Sequence, residues 1–180
     1  MAIPFRDRSD EEPAGLVGYL RFVDESNGKG IRGALFCINV RGEPVDFSFS
    51  RVDIPASFLW RAGDARRHAV AALGKVLFTA CSQEPILLLA RAEETPARVF
   101  TEDLEVQVIL GRVAGGPDMV HAVNEIPETL GEEVHVFWVG EQPVADSPAR
   151  RLLQALQMRS LLVEPFERAA VGLEEAFRQS

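Results

Sequence analysis

Long apolar runs are missing from this sequence. Its longest clean stretch, Ile86-Leu87-Leu88-Leu89-Ala90, is strand-sized, far below the roughly 18–20 residues of a membrane-spanning helix, so no membrane partner is expected. Cysteine is scarce too, with only Cys37 and Cys81. No C-x-x-C pair offers zinc or redox spacing, and both cysteines read as small buried hydrophobes. Lysine is nearly absent: 17 of the 19 basic residues are arginine, a bias that fits a GC-rich bacterial genome. The first 13 residues carry charge at Arg6, Asp7, Arg8, Asp10, Glu11 and Glu12 and lack the apolar core of a signal peptide. A cytoplasmic location is the resulting expectation.

What is present is an ordinary globular composition. The 180 residues are 47% hydrophobic and 26% charged, with a net charge of −8. That excludes a disordered tail, a collagen-like chain and a basic nucleic-acid-binding domain, and leaves enough length to bury a core. The charge is uneven. Residues 14–92 hold ten basic and seven acidic groups, whereas residues 93–146 hold Arg98 and Arg112 against twelve acids. Direct nucleic-acid binding is not expected through residues 93–146, where the surface would repel phosphate and suit a basic partner.

Residues 1–13 read as a flexible polar tail and residues 14–180 as a single α+β domain, divisible into 14–92 and 93–180. The β-rich run Leu16–Val23 ends in a turn cluster, Asp24–Gly30. Ile31–Val40 makes a second strand, and Val45, Phe47 and Phe49 alternate with polar residues in a third. These three predict an antiparallel meander. A helix follows from an Asp64 cap to about Cys81, its Val/Leu stripe facing the sheet and Gly74 packed closely against it. Ile86–Arg91 reads as an interior strand. A second, acidic meander is expected from Leu104–Leu110, Met119–Val123 and Val134–Val139. Ser147-Pro148 opens a C-terminal helix pair, interrupted at Glu164-Pro165.

Several patterns invite chemistry. Gly28-Lys29-Gly30-Ile31-Arg32-Gly33 matches G-x-G-x-x-G, but a strand follows it where a phosphate site would need a helix N-terminus. It reads as a hairpin connection, and no cofactor is expected. The three histidines, His68, His121 and His135, lack metal-ligand spacing. Cys37 with His68 as base has no local activating signal. The β-β-β-α-β order resembles the first half of an RNase H-like fold, at the level of element order over about half the chain. That resemblance implies a divalent-metal-dependent nuclease using Mg²⁺ or Mn²⁺ held by several converging carboxylates. The candidates are Asp24, Asp64 and Glu93 (or its neighbour Glu94), although no acid falls inside the 65–81 helix.

Against this stand three large apolar side chains, Phe58, Leu59 and Trp60, on a strand-to-helix connection, where aromatic clusters commonly anchor interfaces. Phe166, Leu173 and Phe177 on the last helix need a cover as well. With no catalytic signature complete, the leading expectation is a non-catalytic protein-binding subunit or adaptor of a cytosolic bacterial multi-protein assembly. Those six residues would be its contacts with another protein subunit, and catalytic, cofactor and metal sites would be absent. The nuclease is the alternative.

Overall fold

The structure, a computed structural model, describes residues 14–179, so the expected tail at 1–13 lies outside the described residues. The α+β expectation agrees with the element order. Strands β1 (Val17–Asp24), β2 (Gly30–Ile38) and β3 (Pro44–Asp53) precede α1 (Asp64–Ala80). Then come β4 (Leu87–Arg91), β5 (Ile109–Ala114), β6 (Glu125–Leu130) and β7 (Val134–Val139), and finally α2 (Pro148–Met158) and α3 (Glu164–Arg178). All seven strands form one sheet in the order β3-β2-β1-β4-β5-β7-β6.

The first three strands pair antiparallel, from Val17↔Ile38 to Asp24↔Ile31 and from Gly30↔Asp53 to Ile38↔Pro44, with a bulge between Cys37 and Ile38. Helix α1 then carries the chain back, so that β4 lies parallel to β1 (Val17↔Leu87) and β5 parallel to β4. Helix α1 covers one face of β4, and α2 with α3 covers the other, which is why β4 is apolar on both sides. Side-chain alternation sorts two cores. Val17, Tyr19, Leu87 and Leu89 meet Leu152, Leu156, Phe166 and Ala169 of α2 and α3 on one face. Leu20, Phe22, Leu88 and Ala90 meet Val70, Leu73 and Leu77 of α1 on the other.

Each glycine of the motif has a local structural reason. Gly28 turns the hairpin at φ +66°, and the other two stand where a Cβ would collide. At Gly30 it would lie 2.5 Å from Glu25 and 2.6 Å from Arg51, and at Gly33 2.7 Å from Leu73. Gly74 also permits close packing, but against Leu104 at 2.7 Å instead of the sheet.

Leu104 explains why the expected 104–110 strand starts late. It is buried behind a π-turn at Val99–Asp103, and sheet pairing begins only at Ile109. Met119–Val123 is not a strand. Its place is taken by β6, whose Glu125, Pro127 and Glu128 gave no apolar signal and whose edge position tolerates a proline. Capping follows sequence chemistry at α2, where the Ser147 side chain accepts a bond from the Arg150 N–H, whereas α1 is entered through Gly63 at φ +84° with Asp64 in its first turn. Among the described residues no helix is long and apolar enough to cross a membrane.

Candidate functional site

In an open sheet with parallel strands, the carboxyl ends of those strands border the crevice where ligands bind. Here that edge collects four pieces of chain. Strand β1 ends at Asp24, and β4 ends beside Glu93 and Glu94. The β1–β2 hairpin tip receives the end of β3, with the Ile54 N–H donating to the Lys29 carbonyl at 2.8 Å. Helix α1 begins at the same edge, because Arg66 in its first turn reaches Asp24.

Arg66 is the hub. Its Nε donates to both Asp24 carboxylate oxygens at 3.0 and 2.9 Å, and its NH1 donates to the Glu94 carbonyl at 2.9 Å. One guanidinium therefore joins the ends of β1 and β4. Glu94 faces the other way: its carboxylate lies 2.7 Å from Arg21 Nε and accepts the Phe22 N–H at 2.9 Å. Burial pushes the Glu94 carboxyl above its ordinary value despite these partners. Beside them, Glu25 receives Arg32 at 3.1 Å and Arg51 at 2.8 and 2.9 Å, and these bonds lower its pKa from 4.5 to about 2.

A pair of divalent ions needs carboxylates converging from several elements. Asp24 is closed by Arg66, Asp64 lies 3.9 Å from Arg67, and Glu93 lies 3.6 Å from Arg91 with its carboxylate against Gly115. Among the described residues no group of three or more His, Cys, Asp or Glu side chains could hold a metal ion. The donor set does not fit Mg²⁺ or Mn²⁺ as expected from the RNase H-like resemblance, because a guanidinium stands beside each acid. Nothing in the spacing of the sequence marked Arg66; its only signal was an arginine two positions after a helix start.

The histidines do not gather either. His68 stacks on Trp60 with ring centroids 5.0 Å apart, His121 lies against Phe137, and His135 meets Thr129 at 3.2 Å. Cys37 has Cys81, not His68, as its neighbour, with sulfurs 3.8 Å apart across 44 positions of sequence.

The six apolar candidates divide in two. Phe166 and Leu173 are 0% and 3% exposed, so their role as partner contacts is corrected: α3 spends them on the protein's own core. Phe177 is half-buried between the Phe49 ring at 5.6 Å and the Arg32 guanidinium at 4.8 Å. The other three stay outside. Phe58 is 83%, Leu59 78% and Trp60 40% exposed, on and just after the short 3-10 turn Ser57–Leu59. This turn links β3 to α1, so it sits on the same sheet edge as Asp24 and Arg66. Arg61, next after Trp60, is exposed, as is Lys29, whose carbonyl accepts the Ile54 N–H where the chain enters this connection.

No family model and no curated protein matches the chain. Solved structures do. An endonuclease V from Streptomyces avermitilis superposes with a TM-score of 0.61 at 12% identity, covering 93% of this chain and 83% of that one. An endonuclease V from Bacillus subtilis gives 0.38 at 11% identity, over 83% and 82% of the two chains. A Marinitoga piezophila Argonaute in complex with guide RNA and target DNA gives 0.39 at 8%, over 88% of this chain and 27% of that one. The last two are too loose to carry weight. The first overturns the expectation of a non-catalytic protein-binding subunit, and with it the choice of a protein subunit over nucleic acid as partner. An accessory role rested on missing motifs, whereas this chain shares nearly its whole architecture with a nuclease.

Proposed function

We propose that this chain binds nucleic acid at the carboxyl edge of β1 and β4, holding unpaired bases against the Phe58–Leu59–Trp60 turn. The observation that carries the reading is this turn itself. Large apolar side chains left 83%, 78% and 40% exposed are costly in water, and rings offered to solvent beside cations form a stacking platform for single strands. Lys29 and Arg61 supply flanking charge for phosphates, while Arg66 is half-committed to Asp24. The endonuclease V likeness supports the reading at the level of architecture. The working compartment under it is the cytoplasm.

The chemistry of the edge favours binding over strand cleavage. Two-metal activation of water for attack on a phosphodiester needs carboxylates free to hold the ions, and Asp24, Glu25, Glu93 and Glu94 all lie beside arginines. Each of these carboxylates faces a guanidinium, at 2.9 Å for Asp24, 2.8 Å for Glu25, 3.6 Å for Glu93 and 2.7 Å for Glu94, where a metal ion would have to bind.

Fluorescence anisotropy with labelled single-stranded and duplex oligonucleotides tests the proposal. Single strands are expected to bind better than duplex, and Trp60→Ala and Phe58→Ala are each expected to weaken binding roughly 5- to 100-fold, the range of one lost base stack. Unchanged affinity in both variants, with wild-type circular dichroism, overturns the proposal. Cleavage that needs Mg²⁺ or Mn²⁺ and disappears in Asp24→Ala replaces it with the metal-dependent nuclease.

A further inference from the structure

Cys37 and Cys81 read from sequence as two unrelated buried residues. Folding brings their sulfurs to 3.8 Å. Cys37 is fully buried on β2, facing α1 beside Leu35 and Leu77. Cys81 ends α1 in extended conformation, its N–H donating to the Leu77 carbonyl at 3.1 Å. The contact does not depend on the thiols. Asp46, the cross-strand partner of Cys37 in the β2–β3 ladder, accepts both the Ser82 N–H at 2.7 Å and the Ser82 hydroxyl at 3.0 Å. An anchor one residue past Cys81 thus fastens the helix end over Cys37.

The second observation is access. Cys81 is half-buried and lines an open cavity of about 430 Å³ between the end of α1, Pro85 and Leu88 at the start of β4, and Val106–Val108. A small solute entering this space meets Cys81 before Cys37. We propose that Cys37 and Cys81 are an oxidative modification site, closing to an intramolecular disulfide when a hydroperoxide enters the cavity.

The chemistry balances within the pair and its oxidant. The Cys81 thiolate attacks the peroxide O–O bond, forming an S–O bond and releasing one water (an alcohol from an alkyl peroxide) once the leaving oxygen takes a proton. The Cys37 sulfur then attacks the sulfenic sulfur of Cys81, the S–S bond forms, the S–O bond breaks, and a second water leaves. Two thiols lose two hydrogens and two electrons, all received by the hydroperoxide. A dithiol reductant reverses the bond by exchange. Burial pushes both thiols up, with the Asp46 charge acting the same way, so thiolate is scarce and the pair reacts slowly with peroxide.

The test is titration of the full native chain with hydrogen peroxide, followed by intact mass and non-reducing peptide mapping. Expected is a monomer lighter by two hydrogens, a Cys37 peptide joined to a Cys81 peptide, and full reversal by dithiothreitol. The oxidised chain should also melt several degrees higher, since the bond closes a long loop. Cys81→Ala should abolish the linkage. Linkage only between molecules, separate conversion of each thiol to sulfinic acid, or no reaction at excess peroxide overturns the proposal. None of these readouts involves nucleic acid.

Discussion

Arg66 donates from one nitrogen to both carboxylate oxygens of Asp24, at 3.0 and 2.9 Å, and from another to the backbone of Glu94. The last residue of β1 is thereby bound to the first turn of α1 and, through Arg66, to the chain leaving β4. Asp24 is half-exposed, so the ion pair alone is worth at most about 1 kcal/mol, and the bond to the Glu94 carbonyl adds about 1 kcal/mol. Arg66→Ala should therefore lower unfolding stability by about 1–2 kcal/mol in urea denaturation. Arg66→Lys should recover little, because an ammonium cannot reach both groups with the planar fork of a guanidinium. Full rescue by lysine would reduce Arg66 to a surface charge.

How much of this edge could be read in the sequence depends on whether the signal was local. The first meander, α1 and the terminal helices follow from period-two and period-3.6 patterns in Val45–Phe49, Ala69–Leu77 and Phe166–Phe177. The order of strands across the sheet was half-visible, through the β-β-β-α-β succession. Hidden were contacts between residues distant in sequence. Asp24 and Glu93 sat at the expected strand ends, yet their neutralisation by Arg66 and Arg91 could not be seen in a linear pattern. The approach of Cys37 to Cys81 was equally invisible. Exposure of Phe58 and burial of Phe166 look alike in sequence, since both are aromatics near helix starts, and only packing separates them.

Acid should loosen the hairpin edge through Glu25. Its carboxylate, bonded to Arg32 and Arg51, titrates at about 2 in the folded chain against an ordinary value of 4.5. A folded pKa below the unfolded one means that the stabilisation is complete above pH 4.5 and is lost as pH falls toward 2. Glu25→Gln removes this contribution. The variant should be less stable than the parent at neutral pH, and the difference should shrink steadily between pH 4.5 and 2. Parallel stability curves over that interval, measured by urea midpoints, would show that the pairs contribute nothing.

Salt dependence separates phosphate contact from base stacking. If Lys29, Arg61 and Arg66 each neutralise a phosphate, the logarithm of the single-strand binding constant should fall against the logarithm of salt with a slope of about −2, from roughly 0.7 per contact. Lys29→Ala and Arg61→Ala should each flatten that slope by about 0.7 and weaken binding to all sequences alike. Trp60→Ala should instead lower affinity with the slope unchanged, because a stacked base releases no counterion. A parent slope near zero would remove these cations from the interface.

The least forgiving polar contact lies away from this edge. Arg112 on β5 and Glu125 at the start of β6 are both buried, with Nε at 2.5 Å and NH2 at 2.8 Å from the two carboxylate oxygens. Arg112 also donates to the Thr95 and Ala92 carbonyls at 2.8 and 3.3 Å, and Glu125 accepts the Ala122 N–H at 2.7 Å. The pair thus fixes the chain after β4 and the turn into β6, a strand with few apolar residues of its own. Removing one member leaves the other charged and dry, which costs about 3–5 kcal/mol. Glu125→Gln should cost that much in urea denaturation, while Arg112→Met with Glu125→Leu should recover a large part, since the stranded charge is gone. Hydrogen exchange would locate the damage, with amides of β6 and β7 opening first in the single variant and those of β1 and β2 retaining protection. A double variant no more stable than the single one would mean that the bonds to Thr95 and Ala122, and not the charge pair, hold the β6 edge in place.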